Sequence, residues 1–153
     1  MTFSAKTEYG VRLMVALGRD AQESPTSLKA IAESEGLPLS YLEHVVADLK
    51  RAGLVTSSRG AHGGYRLARP TAEIAMDEVV LALEGAIAPM ECFVHVPTER
   101  VACSHQGDGG MTCSTRLLWM RVQGGIVRAL QGTTLSELVE FEARHEPRAE
   151  AVA

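Results

Sequence analysis

The chain of 153 residues holds three cysteines, and all of them fall in one segment: Cys92, ten residues, Cys103, nine residues, Cys113. Thiolates are soft ligands, and three of them converging from one loop suit zinc or an iron-sulfur cluster. The spacing lacks the CxxC pairs typical of zinc ribbons and ferredoxins, so unrelated buried thiols stay open beside a metal site. A structural disulfide is disfavoured, because a cytoplasmic chain keeps its thiols reduced and an odd count would leave one over. The segment Ala86 to Thr112, AIAPMECFVHVPTERVACSHQGDGGMT, has no hydrophobic periodicity and also carries His105. Loops of that length are usually functional or disordered, and the cysteines make disorder the weaker choice.

The elements that must position this loop begin with the stretch Ser27 to Leu67, SLKAIAESEGLPLSYLEHVVADLKRAGLVTSSRGAHGGYRL. Ser27 caps a short helix whose Leu28, Ile31 and Ala32 face inward. Gly36, Leu37 and Pro38 write a tight turn, since glycine tolerates left-handed geometry after a helix end and proline cannot continue the helix. The spacing of Ser40 and Glu43 predicts a capping box at the start of a second helix. Leu42, Val45, Val46 and Leu49 recur at helical spacing and give that helix one buried face. Its outward face opens with Ser40, Tyr41, Glu43 and His44, side chains able to reach base edges in a major groove. Gly53 stops the helix, Leu54 and Val55 start a strand, Ser57 to Gly64 forms a glycine-bearing loop, and Tyr65 to Leu67 returns. That order is a winged helix-turn-helix.

Between Leu49 and Pro70 lie Lys50, Arg51, Arg59, Arg66 and Arg69, with no acid among them. A positive hairpin of this kind suits a wing laid along phosphates, or Arg59 inserted into a narrow minor groove. A solvated hairpin on an ordinary domain is the bland alternative for any one of these features, and the ordered series favours DNA. The expected contact set is Ser40, Tyr41, Glu43, His44, Lys50 and Arg51 from the helix, with Arg59, Gly60, His62, Gly63, Gly64 and Tyr65 from the wing.

Around the reader, Ser4 is expected to cap a helix running to about Arg19, with Tyr9, Leu13, Met14 and Leu17 on one face. Glu8 lies on another face, either as a first-turn acid favoured by the helix dipole or as half of an i, i+4 pair with Arg12. Asp77 to Glu84 is a short helix closed by Gly85. From Cys113 the sequence TRLLWMRVQGGIVRAL reads as a long helix with Leu118, Val122, Ile126 and Leu130 on one stripe. A small domain has little use for such a helix, so it is expected to pack on its copy in a dimer. Gly124 and Gly125 cost it about 2 kcal/mol relative to alanine; close approach across an interface would be a reason to keep them, as would a kink or a helix end. Thr134 and Glu137 predict a second capping box, opening a last helix through Leu138, Val139 and Phe141, before a frayed tail.

The fold class is therefore mainly α with a small β wing. The expected organisation is a DNA-binding domain over 1–85, a ligand loop over 86–112, a dimerisation helix and C-terminal helix over 113–145, and a flexible tail over 146–153. The net charge of −4 divides unevenly: nine Lys and Arg face seven Asp and Glu in residues 1–70, and six face twelve in residues 71–153. DNA binding needs a local positive surface, and the split separates a reader half from a regulatory half. No apolar run approaches the roughly 20 residues that cross a bilayer, and the start MTFSAKTEYG lacks a signal-peptide pattern; the chain is expected to be cytoplasmic. Enzyme motifs are missing: no Lys-Ser or Lys-Thr follows Gly60 to Gly64, and there is no GxSxG elbow or HExxH.

The stretches YLEHVVADLKRAGLV and RGAHGGYRLARP, the ECF segment at Cys92 and CSTRLLWMRV from Cys113 resemble the IscR and NsrR type of winged-helix iron-sulfur regulators, and the similarity runs from SAKTEYG to TTLSELV. The resemblance implies a homodimeric transcription factor that binds a near-palindromic double-stranded operator and senses redox state, nitric oxide or cluster supply. It implies that Cys92, Cys103 and Cys113 hold the cluster, 2Fe-2S in one branch and 4Fe-4S in the nitric-oxide branch, with 2Fe-2S favoured here. Some members take a fourth ligand from a histidine three residues after the third cysteine, where this chain has Arg116. Glu8 matches the first-helix acid that other members use, which can come from the partner subunit, and ranks first; His105 ranks second. Structural zinc, or bare thiols acting as a redox switch, is the alternative reading of the same cysteines.

Overall fold

The computed structural model describes residues 3–19, 24–90 and 113–145. Among these residues six helices and one hairpin follow each other: α1 Ala5–Arg19, α2 Leu28–Glu35, α3 Leu39–Arg51, β1 Val55–Ser58, β2 Gly64–Leu67, α4 Met76–Glu84, α5 Ser114–Gln131 and α6 Leu135–His145, with a 3-10 turn at Thr71–Glu73 between β2 and α4. The mainly helical architecture with a small wing is the one the patterning predicts.

Apolar residues at helical spacing converge on one core. Leu13, Met14 and Leu17 of α1 meet Ile31 of α2, Leu42, Val45, Val46 and Leu49 of α3, and Val79 and Leu83 of α4, all buried. α1 is the central rod, packed against α3, α4 and α6. Gly10 and Gly18 are the reason it can lie so close. A Cβ on Gly10 would collide with the Leu83 side chain, and one on Gly18 would sit 2.7 Å from Val139.

Ser27 caps α2 as expected, its Oγ accepting from the Ala30 N–H at 3.1 Å. Gly36 ends α2 with φ 64° and donates to the Ala32 carbonyl. The start of α3 differs from the expectation. Pro38 occupies the cap, with no side-chain cap bond, and its carbonyl accepts from the Tyr41 and Leu42 N–H groups, both at 3.1 Å. Ser40 thus lies inside the first turn and forms no capping box with Glu43. Proline already holds φ near −65° and presents its carbonyl to the helix, so the helix begins two residues earlier than a cap at Ser40 allows. At α6 the box is seen from the glutamate side: Glu137 Oε1 accepts from the Thr134 N–H at 3.2 Å and from its hydroxyl at 3.1 Å.

The hairpin is antiparallel, in the register Val55↔Leu67 to Ser58↔Gly64. Ser57 and Ser58 therefore belong to β1, and the expected loop from Ser57 shortens to residues 59–63. Thr26 adds a one-residue third strand, with the Thr26 N–H donating to Tyr65 O at 2.9 Å and the Tyr65 N–H donating to Thr26 O at 2.8 Å. A Cβ on Gly64 would strike the Thr26 carbonyl, so this close pairing demands glycine there.

α1 is tied to the rest of the core at its first turn. Glu84 Oε1 accepts from the Ser4 N–H at 2.7 Å, the Ser4 hydroxyl at 2.8 Å and the Thr7 hydroxyl at 2.6 Å. Burial pushes the Glu84 carboxyl up, but the donors from Thr7 and Ser4 outweigh it and hold the group below its ordinary value. Asp48 of α3 is likewise held low, first by Lys6 of α1 and then by Arg51. A carboxylate depressed in the folded state stabilises the fold above its unfolded pKa and loses that contribution as pH falls through the folded value. Thermal melts taken from about pH 6 down to about pH 3 should show the melting temperature falling at the acid end, and Glu84→Gln should flatten part of that fall. A variant with an unchanged slope would remove Glu84 as a contributor.

Candidate functional site

Ser40, Tyr41, Glu43 and His44 are all exposed on α3, opposite its buried face. Tyr41 is braced from behind by Tyr9 of α1, edge to face with centroids 5.3 Å apart, and Lys6 of α1 pairs with Asp48 on the same helix. These two contacts fix the reader helix on α1. Sequence reasoning missed both, since no local signal marks partners more than 30 residues away.

The five cations fare differently once folded. Lys50 donates to Ser57 Oγ at 2.6 Å, joining α3 to β1. Arg51 pairs with Asp48 at 2.6 Å. Arg69 is drawn to Glu78 of α4 and to the Glu73 carbonyl at 3.1 Å. Arg66 makes one long contact to Thr56 Oγ1 at 3.4 Å. Arg59, exposed at the wing tip beside Gly60, has no hydrogen-bond or ion-pair partner among the described residues. Gly60 takes φ 116°, and a Cβ on Gly63 would meet the Ser58 carbonyl, so the tip needs both glycines. His62 is exposed, and Gly64 and Tyr65 are half-buried where β2 meets Thr26. The arrangement presents hydrogen-bonding groups at the start of α3 and, at the wing tip, a guanidinium with no partner among the described residues.

Of the cysteine site, Cys92, Cys103 and His105 lie outside the described residues. Cys113 is the residue that caps α5, and its thiol lies 3.2 Å from the Thr115 hydroxyl. That hydrogen bond first, then the backbone N–H groups of Arg116 and Thr115 and the Arg116 charge, hold the thiol below its ordinary value. A thiol held below its ordinary value and free of a disulfide is chemically fit to ligate a soft metal. Glu8 is exposed in the first turn of α1. The expected partner of Glu8, Arg12, instead bonds the carboxylate and carbonyl of Glu35 at the end of α2. Arg19 joins the same carboxylate at 2.7 Å and reaches Glu142 of α6. Among the described residues no three His, Cys, Asp or Glu side chains gather for a metal ion, and no helix is long and apolar enough to cross a membrane.

α5 has no buried residue, and Leu117, Leu118 and Met120 are more than half exposed. It rests on α4, with Gln123 Nε2 donating to the Ile87 carbonyl at 2.8 Å. Helix-turn-helix, wing and an uncovered apolar helix together define a winged-helix transcriptional regulator.

Residues 3–141 match the Rrf2 family model, described as an iron-dependent transcriptional regulator, and the chain belongs to that family. Among its relatives, the protein rrf2 of Nitratidesulfovibrio vulgaris is 34% identical over 139 residues, covering 91% of this chain and 87% of the other. The transcriptional regulator IscR of Vibrio atlanticus is 35% identical over 140 residues, covering 92% and 76%. The solved structure of CymR, the global cysteine regulator of Bacillus subtilis, is 36% identical with a TM-score of 0.73, covering 92% of this chain and 98% of that one. The chain is thus a DNA-binding transcriptional regulator and not an enzyme.

Proposed function

We propose that this regulator works as a homodimer on a near-palindromic operator and reads redox state, nitric oxide or cluster supply through an iron-sulfur cluster held by Cys92, Cys103 and Cys113. Glu8 is the fourth ligand, supplied by either copy of the chain, and His105 the alternative. The observation that carries this reading is the position of Cys113. It caps the same helix, α5, whose apolar face is left uncovered by the other described residues, so ligation at Cys113 and the proposed packing between copies meet on one element. A bound cluster would supply electron transfer and reactivity toward nitric oxide and oxygen.

The chain's own residues supply the rest. Cys113 and the first turn of α1, pinned through Glu84, would be the two fixed ends of the ligand set. α1 then carries any displacement to the reader through Lys6–Asp48 and Tyr9–Tyr41. In the dimer two copies of α3 enter successive major grooves, about one helical turn apart, and ligation shifts the population of dimers with the right spacing.

The test is anaerobic purification followed by iron, acid-labile sulfide and a visible spectrum per chain. About two irons and two sulfides support the 2Fe-2S form, and about four of each the 4Fe-4S form. A colourless protein, with zinc or with no metal after reconstitution, would sink the cluster. A second reading would then stand, a thiol switch without a cluster, favoured by the depressed Cys113 thiol and by the likeness to a cysteine regulator.

At the wing, Arg59→Ala should weaken operator binding and reduce the slope of log affinity against log salt by about 2, one for each protomer of the dimer, because a guanidinium with no partner among the described residues is removed from phosphate contact. Binding titrations at several salt concentrations check this, and unchanged affinity across salt would count against the contact.

A further inference from the structure

α3 opens on an apolar side chain. Leu39, the first residue of the helix, is 38% exposed, one turn before Leu42, which is fully buried. Pro38 before it is also exposed, and Ser40, Glu43 and His44 behind it supply the polar outward face. Tyr41, the other large hydrophobic side chain exposed on the helix, is engaged with the Tyr9 ring. Leaving a leucine in water at the foremost point of a reader helix forfeits burial that an inward position would provide.

The N-terminal residues of a recognition helix are those that meet base edges. A leucine can neither donate nor accept a hydrogen bond, so facing a guanine, cytosine or adenine edge it would leave polar groups unpaired. The major groove presents one apolar group, the C5-methyl of thymine. We propose that Leu39 is a specificity-determining residue that reads a thymine methyl in each half-site, while Ser40 and His44 hydrogen-bond to neighbouring bases. This rests on the DNA-binding reading of α3 given above.

An operator is first selected from random duplex DNA with the full-length wild-type dimer. Each thymine is then replaced in turn by deoxyuridine, which removes only the methyl. The expected result is one position per half-site where uracil weakens binding about fourfold, or about 15-fold when both half-sites are changed, as for the loss of one buried methyl each. Leu39→Ala should bind thymine and uracil operators equally, Leu39→Met should keep the uracil penalty, and Ser40→Ala should lower overall affinity while keeping it. A wild-type protein indifferent to uracil at every position overturns the inference without needing any variant to fold. A penalty retained in a folded Leu39→Ala protein overturns it too. Failure to enrich any sequence would instead sink the DNA-binding reading, and the inference with it.

Discussion

Leu118→Glu is expected to give a folded monomer that binds its operator about 100-fold more weakly than the wild type, or worse. Leu118 lies 56% exposed on α5 and contributes nothing to the protomer core, so its loss should leave the melting of the winged-helix part nearly unchanged. Beside it Leu117 and Met120 are similarly uncovered, and Val122, Trp119 and Ile126 are only half-buried. A stripe that long, left in water, matches the apolar face of a second copy. Gly124 and Gly125 fit the same picture. The helix runs through them without a break, and a Cβ on Gly125 would meet nothing within 4 Å among the described residues. At Gly124 a Cβ would press on the Arg128 guanidinium at 3.2 Å, but at Gly125 no described residue accounts for the roughly 1 kcal/mol a helical glycine costs, whereas a second backbone approaching here would. A glutamate at 118 would place a charge in that contact. Without it, each reader binds alone and loses the effective concentration that a linked partner provides, commonly a factor of 100 or more. Sedimentation and operator titration read the two effects, and a Leu118→Glu dimer with full affinity would remove α5 as the interface.

Cys113→Ser is expected to lose its iron to background level while remaining folded. Serine keeps the volume and the contact with Thr115, but its hydroxyl does not ionise near neutral pH and is a hard donor, unlike the thiolate it replaces. The substitution lies at the cap of α5, where the thiol makes no cap bond, so helix formation should not suffer. Iron and sulfide analysis after anaerobic reconstitution gives the answer in one measurement. Full iron in the variant would take Cys113 out of the ligand set, and the thiol-switch reading predicts no iron in either protein. The two readings therefore separate on the wild type, and the variant then assigns the residue.

Much of the reader was legible because its signals are local. The Gly36–Leu37–Pro38 turn, the Ser27 cap and the spacing of Leu42, Val45, Val46 and Leu49 each depend on residues within one or two turns of each other, and each appears in the structure. The misplaced cap at Ser40 is instructive. A serine with a glutamate three residues on satisfies the capping pattern, yet the preceding proline had already set the helix geometry, and its carbonyl took the first two bonds. The hairpin was read correctly in kind but two residues short in β1, since Ser57 and Ser58 are poor strand formers held extended by cross-strand pairing with Tyr65 and Gly64. Thr26 as a third strand left no trace, because a single bridging residue has no period.

The chain by itself determined the order of elements, the cysteine spacing, the basic wing and the apolar stripe of α5, since all of these are properties of neighbours in sequence. Only the tertiary structure decided which charges are committed and which are free. Arg12 turns to Glu35 and not to Glu8, Arg19 spans to Glu142, and Arg69 is taken by Glu78, while Arg59 at the wing tip has no partner among the described residues. Charge pairing is set by distances of a few ångströms in space, and α1, α2 and α6 come that close only after the shared core has formed.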